Sequence, residues 1–136
     1  RKIKNVVSLI HAPLTQYFDE VKKEQFQFYD CASTLQHVMN DIKDESRPVL
    51  AIVDGPPGNV APYARYPALS ALKPLLVHHD LHILVDDYFR PEERRIVNDW
   101  KFMLEDSGYK IDIDEIDLDK GAVILRIGKA QLAQGI

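Results

Sequence analysis

Two short apolar runs, each closed by acid, constrain this chain more than any other feature. Val49-Leu50-Ala51-Ile52-Val53 ends at Asp54-Gly55-Pro56-Pro57-Gly58, and His82-Ile83-Leu84-Val85 ends at Asp86-Asp87. A continuous apolar run bounded by chain breakers suits a strand covered on both faces, as in a parallel sheet. Parallel strands all end at one rim, and ligands bind in the crevice outside it. A single crossover separates the runs, so right-handed connection geometry makes them neighbours or near neighbours, about 5–10 Å apart. Asp54 and Asp86-Asp87 are therefore expected side by side.

Carboxylates that converge in this way repel one another. They stay ionised only beside a cation or hydrogen-bond donors, so an oxygen-ligated divalent ion such as Mg²⁺ is a natural guest for Asp54, Asp86 and Asp87. The plainer alternative is that these acids cap the turns and helices that follow them. The sequence leaves both readings open.

The rest of the pattern predicts one α/β domain over residues 1–136, a length that can bury a real core. Asn5–Ile10 reads as a strand ended by His11-Ala12-Pro13, and residues 26–30 carry a weak extended alternation. Leu35, Val38, Met39 and Ile42 recur at helical spacing between Ala32 and Lys43. Pro67 and Pro74 allow only a short or kinked helix between Ala64 and Leu76. Pro91 and Glu92-Glu93 open a helix whose apolar stripe is Ile96, Val97, Trp100, Met103 and Leu104, with Gly108 at its end. Tyr109–Ile116 and Ala122–Ile127, joined by Asp119-Lys120-Gly121, form an antiparallel hairpin. The order is strand, helix, strand, helix, strand, helix, hairpin, in a mostly parallel sheet with one antiparallel strand near its edge.

Several function classes are disfavoured. A net charge of −4 with one short basic run, Arg1-Lys2-Ile3-Lys4, argues against nucleic acid as the main partner. Apolar runs of five or six residues fall far short of the ~20 that cross a bilayer, and the lone Cys31 gives no disulfide framework. A cytoplasmic location is the default expectation. Gly55-Pro56-Pro57-Gly58 lacks the Gly-Lys-Ser/Thr end of a phosphate loop, and neither Gly-x-Gly-x-x-Gly nor Gly-x-Ser-x-Gly occurs. His78, His79 and His82 are poorly spaced for a metal and suit surface or capping roles, and Cys31 suits a buried thiol.

Three segments together resemble class I S-adenosylmethionine-dependent methyltransferases, in particular a bacterial small-molecule group. They are Val7-Ser8-Leu9-Ile10-His11-Ala12-Pro13-Leu14; Ile52-Val53-Asp54-Gly55-Pro56-Pro57-Gly58 with Ala64-Arg65-Tyr66-Pro67-Ala68-Leu69; and Ile83-Leu84-Val85-Asp86-Asp87-Tyr88-Phe89-Arg90-Pro91-Glu92-Glu93 with Trp100. The resemblance implies a Rossmann-like, mostly parallel sheet with a C-terminal antiparallel hairpin. It implies methyl transfer from S-adenosylmethionine to a hydroxyl of a small molecule or sugar, helped by Mg²⁺. Asp54 would be catalytic, and Asp54, Asp86 and Asp87 would hold the metal. His11, Ala12, Asp54 and Gly55 would lie against the donor, and Arg65 and Arg90 would either contact an anionic substrate or form a structural salt bridge.

The chain departs from that family at one point. It contains neither the glycine-rich first loop nor the ribose-binding acid, so it corresponds to the C-terminal portion of the fold without its first two strands. Two arrangements are expected: an N-terminal half, missing here, supplies the donor site and leaves an exposed sheet edge, or Asn5–Ile10 slides in beside Val49–Val53 through a right-handed crossover. The possible partners are that missing half or, in a homo-oligomer, a second copy. The alternative function is a non-enzymatic partner or assembly module built from an incomplete methyltransferase-like fold.

Overall fold

A computed structural model describes residues 7–130. The chain opens with an antiparallel hairpin, β1 (Leu14–Asp19) and β2 (Glu24–Tyr29), followed by helix α1 (Ala32–Ile42) and strand β3 (Val49–Val53). Helix α2 (Ala68–Leu72) continues as a 3-10 turn over Lys73–Val77 into β4 (Leu81–Asp86). Helix α3 (Pro91–Asp106), β5 (Ile111–Ile116) and β6 (Ala122–Ile127) complete the described chain.

β3, β4, β6 and β5 lie in that order in a four-stranded sheet, and the β1–β2 hairpin forms a separate one. β3 runs parallel to β4, whereas β6 runs antiparallel to both β4 and β5. Three strands thus share a direction, but only one pairing is parallel. The sheet is mixed.

Strand periodicity explains the core. Leu81, Ile83 and Val85 stand opposite Ile127, Leu125 and Val123 on one face, and all six are buried. Ile96, Val97, Trp100 and Leu104 of α3 join them in one cluster with Leu69, Leu75 and Leu76. The Trp100 indole N–H donates to the Tyr66 carbonyl (2.9 Å), which satisfies the polar edge of the largest buried side chain. The opposite face is more open. His82, Leu84, Ile124 and Arg126 are half-buried there, and Leu50 and Ile52 are 59% and 64% exposed.

The hairpin joins this core through Phe26, whose ring lies 5.2 Å from that of Tyr66. Its turn is held to α3 by Lys22, whose ammonium lies 2.9 Å from Asp99. Lys22 also sits over the Tyr66 ring at 5.2 Å.

Three expectations need correction. Residues 7–10 belong to no strand, and Val7 and Leu9 are 74% and 99% exposed; Asn5 and Val6 lie outside the described residues. The β1–β2 hairpin takes the place of an opening strand, because the aromatic residues 17–29 find cover against Tyr66 and α3. His79 is buried rather than superficial: one ring nitrogen contacts the Arg47 carbonyl at 3.0 Å, which ties the start of β3 to the loop before β4. Cys31 is half-buried at the start of α1, where burial pushes its thiol pKa up. Among the described residues, no helix is long and apolar enough to cross a membrane.

Candidate functional site

Parallel pairing of β3 and β4 aligns Val53 with Val85, so both chains leave the sheet at the same level. Asp54 follows immediately on one strand, and Asp86 ends the other. Together with Asp87 they bring carboxylate oxygens within 4.8 Å of one another. The expected convergence at one rim is met.

Their surroundings differ. The Asp54 side chain is 66% exposed, whereas that of Asp87 is 10% exposed. Asp87 adopts φ 58°, a left-handed conformation that Asp tolerates better than most residues. That bend turns its carboxylate back toward the rim. The β5–β6 turn holds the bend from behind: the Tyr88 and Phe89 amides donate to the carbonyls of Gly121 (3.1 Å) and Lys120 (3.2 Å). Gly121 has φ 71°, and a Cβ there would fall 2.6 Å from the Phe89 ring, so glycine lets the turn approach this closely.

Arg65 organises the acids. It is 4% exposed; its Nη1 donates to the Asp86 carbonyl oxygen (3.0 Å), and its Nη2 lies 3.4 Å from Asp87 and 3.7 Å from Asp54. One guanidinium thus bridges both strand ends. Arg90 adds a second cation, 3.0 Å from Asp87 and 3.5 Å from Glu93, and it is half-exposed. Glu93 closes the third motif segment, but the sequence assigned it only a favourable charge at the start of α3. It is 2% exposed, and burial raises its pKa against the opposing pull of Arg65 and Arg90. Its position was readable in principle, because the first turn of a helix after a parallel strand opens at the ligand-binding rim. Glu92, its neighbour, accepts from the Tyr63 amide (2.8 Å) and anchors the loop that carries Arg65. The Nε of Arg65 and the Oε2 of Glu93 are buried without a hydrogen-bond partner among the described residues.

Two hollows meet at Asp54. One, about 490 Å³, is lined by Asp54, Pro57, Gly58, Asn59, Arg65 and Arg90 and is open and charged. The other, about 360 Å³, runs along β3 between α1 and α2, with Phe28, Tyr29, Leu35 and Leu72 in its walls. Gly55 lies at its end, where a Cβ would fall 2.4 Å from the Tyr29 hydroxyl. Glycine at 55 therefore admits the hairpin to the rim, and it builds no phosphate cradle. His11 and Ala12 do not join this group: they precede β1 in irregular chain, with His11 exposed.

Asp54, Asp86 and Asp87 are the residues that could hold a divalent cation. Three carboxylate oxygens as much as 4.8 Å apart lie about 2.8 Å from a shared centre, so they would have to close slightly to reach the oxygen-ligation range of Ca²⁺ and further for that of Mg²⁺. The three aspartates face two guanidiniums, which leaves an excess of one negative charge at the rim. Comparison of this chain with protein-family models, with curated proteins and with solved structures finds no match.

Proposed function

We propose that the rim of β3 and β4 is the acceptor side of a methyl-transfer site, within a Rossmann-like fold, acting on a hydroxyl of a small molecule or sugar. The observation that supports this is the convergence of Asp54, Asp86 and Asp87 beside Arg65 and Arg90, on the segments that resemble the methyltransferase group. S-adenosylmethionine, when bound, would supply an electrophilic methyl group on a sulfonium sulfur.

The chain's own residues would do the rest. Asp54 and Asp86 would hold a divalent ion that lowers the pKa of the acceptor hydroxyl. Asp54, the most open acid, would also orient that hydroxyl. Arg65 would keep the strand-end acids in register, and Arg90, half-exposed over the charged hollow, could turn to an anionic group on the substrate. The fit to the donor is one-sided. Gly55 and the apolar groove offer it one wall, and the described residues carry no glycine-rich loop.

Calorimetric titration with Mg²⁺ and then S-adenosylmethionine tests this reading. Binding of both, lost in Asp54→Ala, is the expected result. A protein that binds Mg²⁺ but never S-adenosylmethionine would end the methyl-transfer reading while keeping the metal site. A second reading, a non-enzymatic assembly module, is favoured by one specific observation: among the described residues β3 is an edge strand with no strand on its outer side.

A further inference from the structure

β3 is the most apolar strand of the sheet to stand at an edge. Among the described residues it pairs with β4 and with no strand on its other side. The Val49 amide donates to the Asp80 carbonyl (2.9 Å), which sets the alternation: Val49, Ala51 and Val53 turn their main-chain groups toward β4. Leu50 and Ile52 therefore turn two N–H and two C=O groups outward. Edge strands are normally blunted by charge, proline or a bulge, because a bare edge is a template for another strand. Between Pro48 and Asp54 this edge has none of these.

The strand is also close to palindromic. Read from either end it is Val, a branched aliphatic, Ala, a branched aliphatic, Val. We propose that the chain pairs with a second copy of itself, β3 to β3, antiparallel about a two-fold axis at Ala51. In that register Leu50 of each copy faces Ile52 of the other, and those are the two residues whose main-chain groups point outward. Four hydrogen bonds form, and every outward group is used. A two-fold axis requires a self-complementary patch, and this strand is one.

The side chains agree with the same register. On the open face, Leu50 and Ile52, 59% and 64% exposed, would each cover the other copy's partner. On the helix face, Val49 and Ala51 of the second copy would enter the apolar groove that runs along Ala51–Asp54. The ends match in charge: Arg47 precedes the strand and Asp54 follows it, so antiparallel pairing sets opposite charges alongside. The product is one continuous eight-stranded sheet. The interaction depends on the edge alone and stands or falls separately from methyl transfer.

Sedimentation equilibrium of the 136-residue chain, from micromolar to hundreds of micromolar, gives the first test. A mass that climbs to twice the monomer's is expected, with Ile52→Lys held at the monomer mass and an unchanged circular dichroism spectrum. The register is tested by cysteine cross-linking in a Cys31→Ser background. Ala51→Cys places two thiols across the axis at about 4.5 Å between Cα atoms, and should form a disulfide dimer roughly tenfold faster than Leu50→Cys. A monomer at every concentration overturns the proposal and leaves the edge to a different partner. Equal cross-linking at 50 and 51 overturns it as well.

Discussion

β3 and β4 are adjacent, parallel and similarly apolar, yet they live in different environments. β4 is paired on both edges, and Leu81, Ile83 and Val85 are fully buried beneath the helices. Among the described residues β3 is paired on one edge, Val53 alone of its five residues is buried, and Leu50 and Ile52 lie open. The same kind of sequence therefore produces a finished strand in one place and an unfinished one in the other. An apolar run specifies what should cover a strand; whether the cover exists depends on the neighbours. Helix α1, which flanks β3, repeats the point: it buries none of its residues completely, and Val38 is 41% exposed.

The sharpest way to break this comparison is to cut into the finished side. Trp100→Ala removes a fully buried ring and its hydrogen bond to Tyr66, and should cost about 3–5 kcal/mol in urea unfolding. A cost under about 1 kcal/mol would mean that the α3 side is as loosely covered as the β3 side.

Next in size is the rim that joins the two strands. Arg65→Met leaves the buried Asp87 with Arg90 alone and strips Asp54 of its nearby cation, and should destabilise the fold by about 3 kcal/mol. Mg²⁺ should restore part of that loss and raise the variant's melting temperature more than the parent's, since the ion would replace a missing positive charge. Identical melting curves with and without Mg²⁺ would remove the cation from the rim.

A smaller effect follows from Glu93. Burial lifts its folded-state pKa, so folding takes up a proton. The stability that this brings is whole below the unfolded pKa and is lost as pH rises through the raised folded value. Stability should therefore fall across the mildly acidic range, and Glu93→Gln should flatten that part of the profile. Chemical denaturation at a series of pH values checks it; an unchanged slope in the variant would place the titration elsewhere.

Much of this arrangement could be read before any coordinates. The helix at Pro91–Asp106, the strands at β3 and β4, the closing hairpin and the meeting of Asp54 with Asp86 follow from periodicity, breakers and crossover geometry, all of which act locally or between successive elements. The errors are tertiary. Residues 14–29 form a hairpin because Phe26 finds Tyr66 and Lys22 finds Asp99, partners 40 and 77 residues further along the chain. Residues 7–10 have strand composition and no strand beside them. Arg65 carried two readings, substrate contact and structural salt bridge, and its burial with its bonds to Asp87 and the Asp86 carbonyl gives it the second role; the sequence alone could not choose, because burial is set by the packed fold.

The smallest predicted effect is the most discriminating for the comparison itself. Ile52→Ala removes an apolar side chain from a strand interior, which in β4 would cost several kcal/mol. At 64% exposure it should change unfolding by no more than about 0.5 kcal/mol when the protein is dilute. If β3 is completed by a second copy, the same substitution should cost progressively more as concentration rises, because a partner that binds only the folded chain stabilises it by mass action. Denaturation midpoints of parent and variant would then coincide at low concentration and separate at high. Midpoints that keep a constant gap would mean that β3 has the surroundings of one chain only, and that its open edge is a settled feature of this fold.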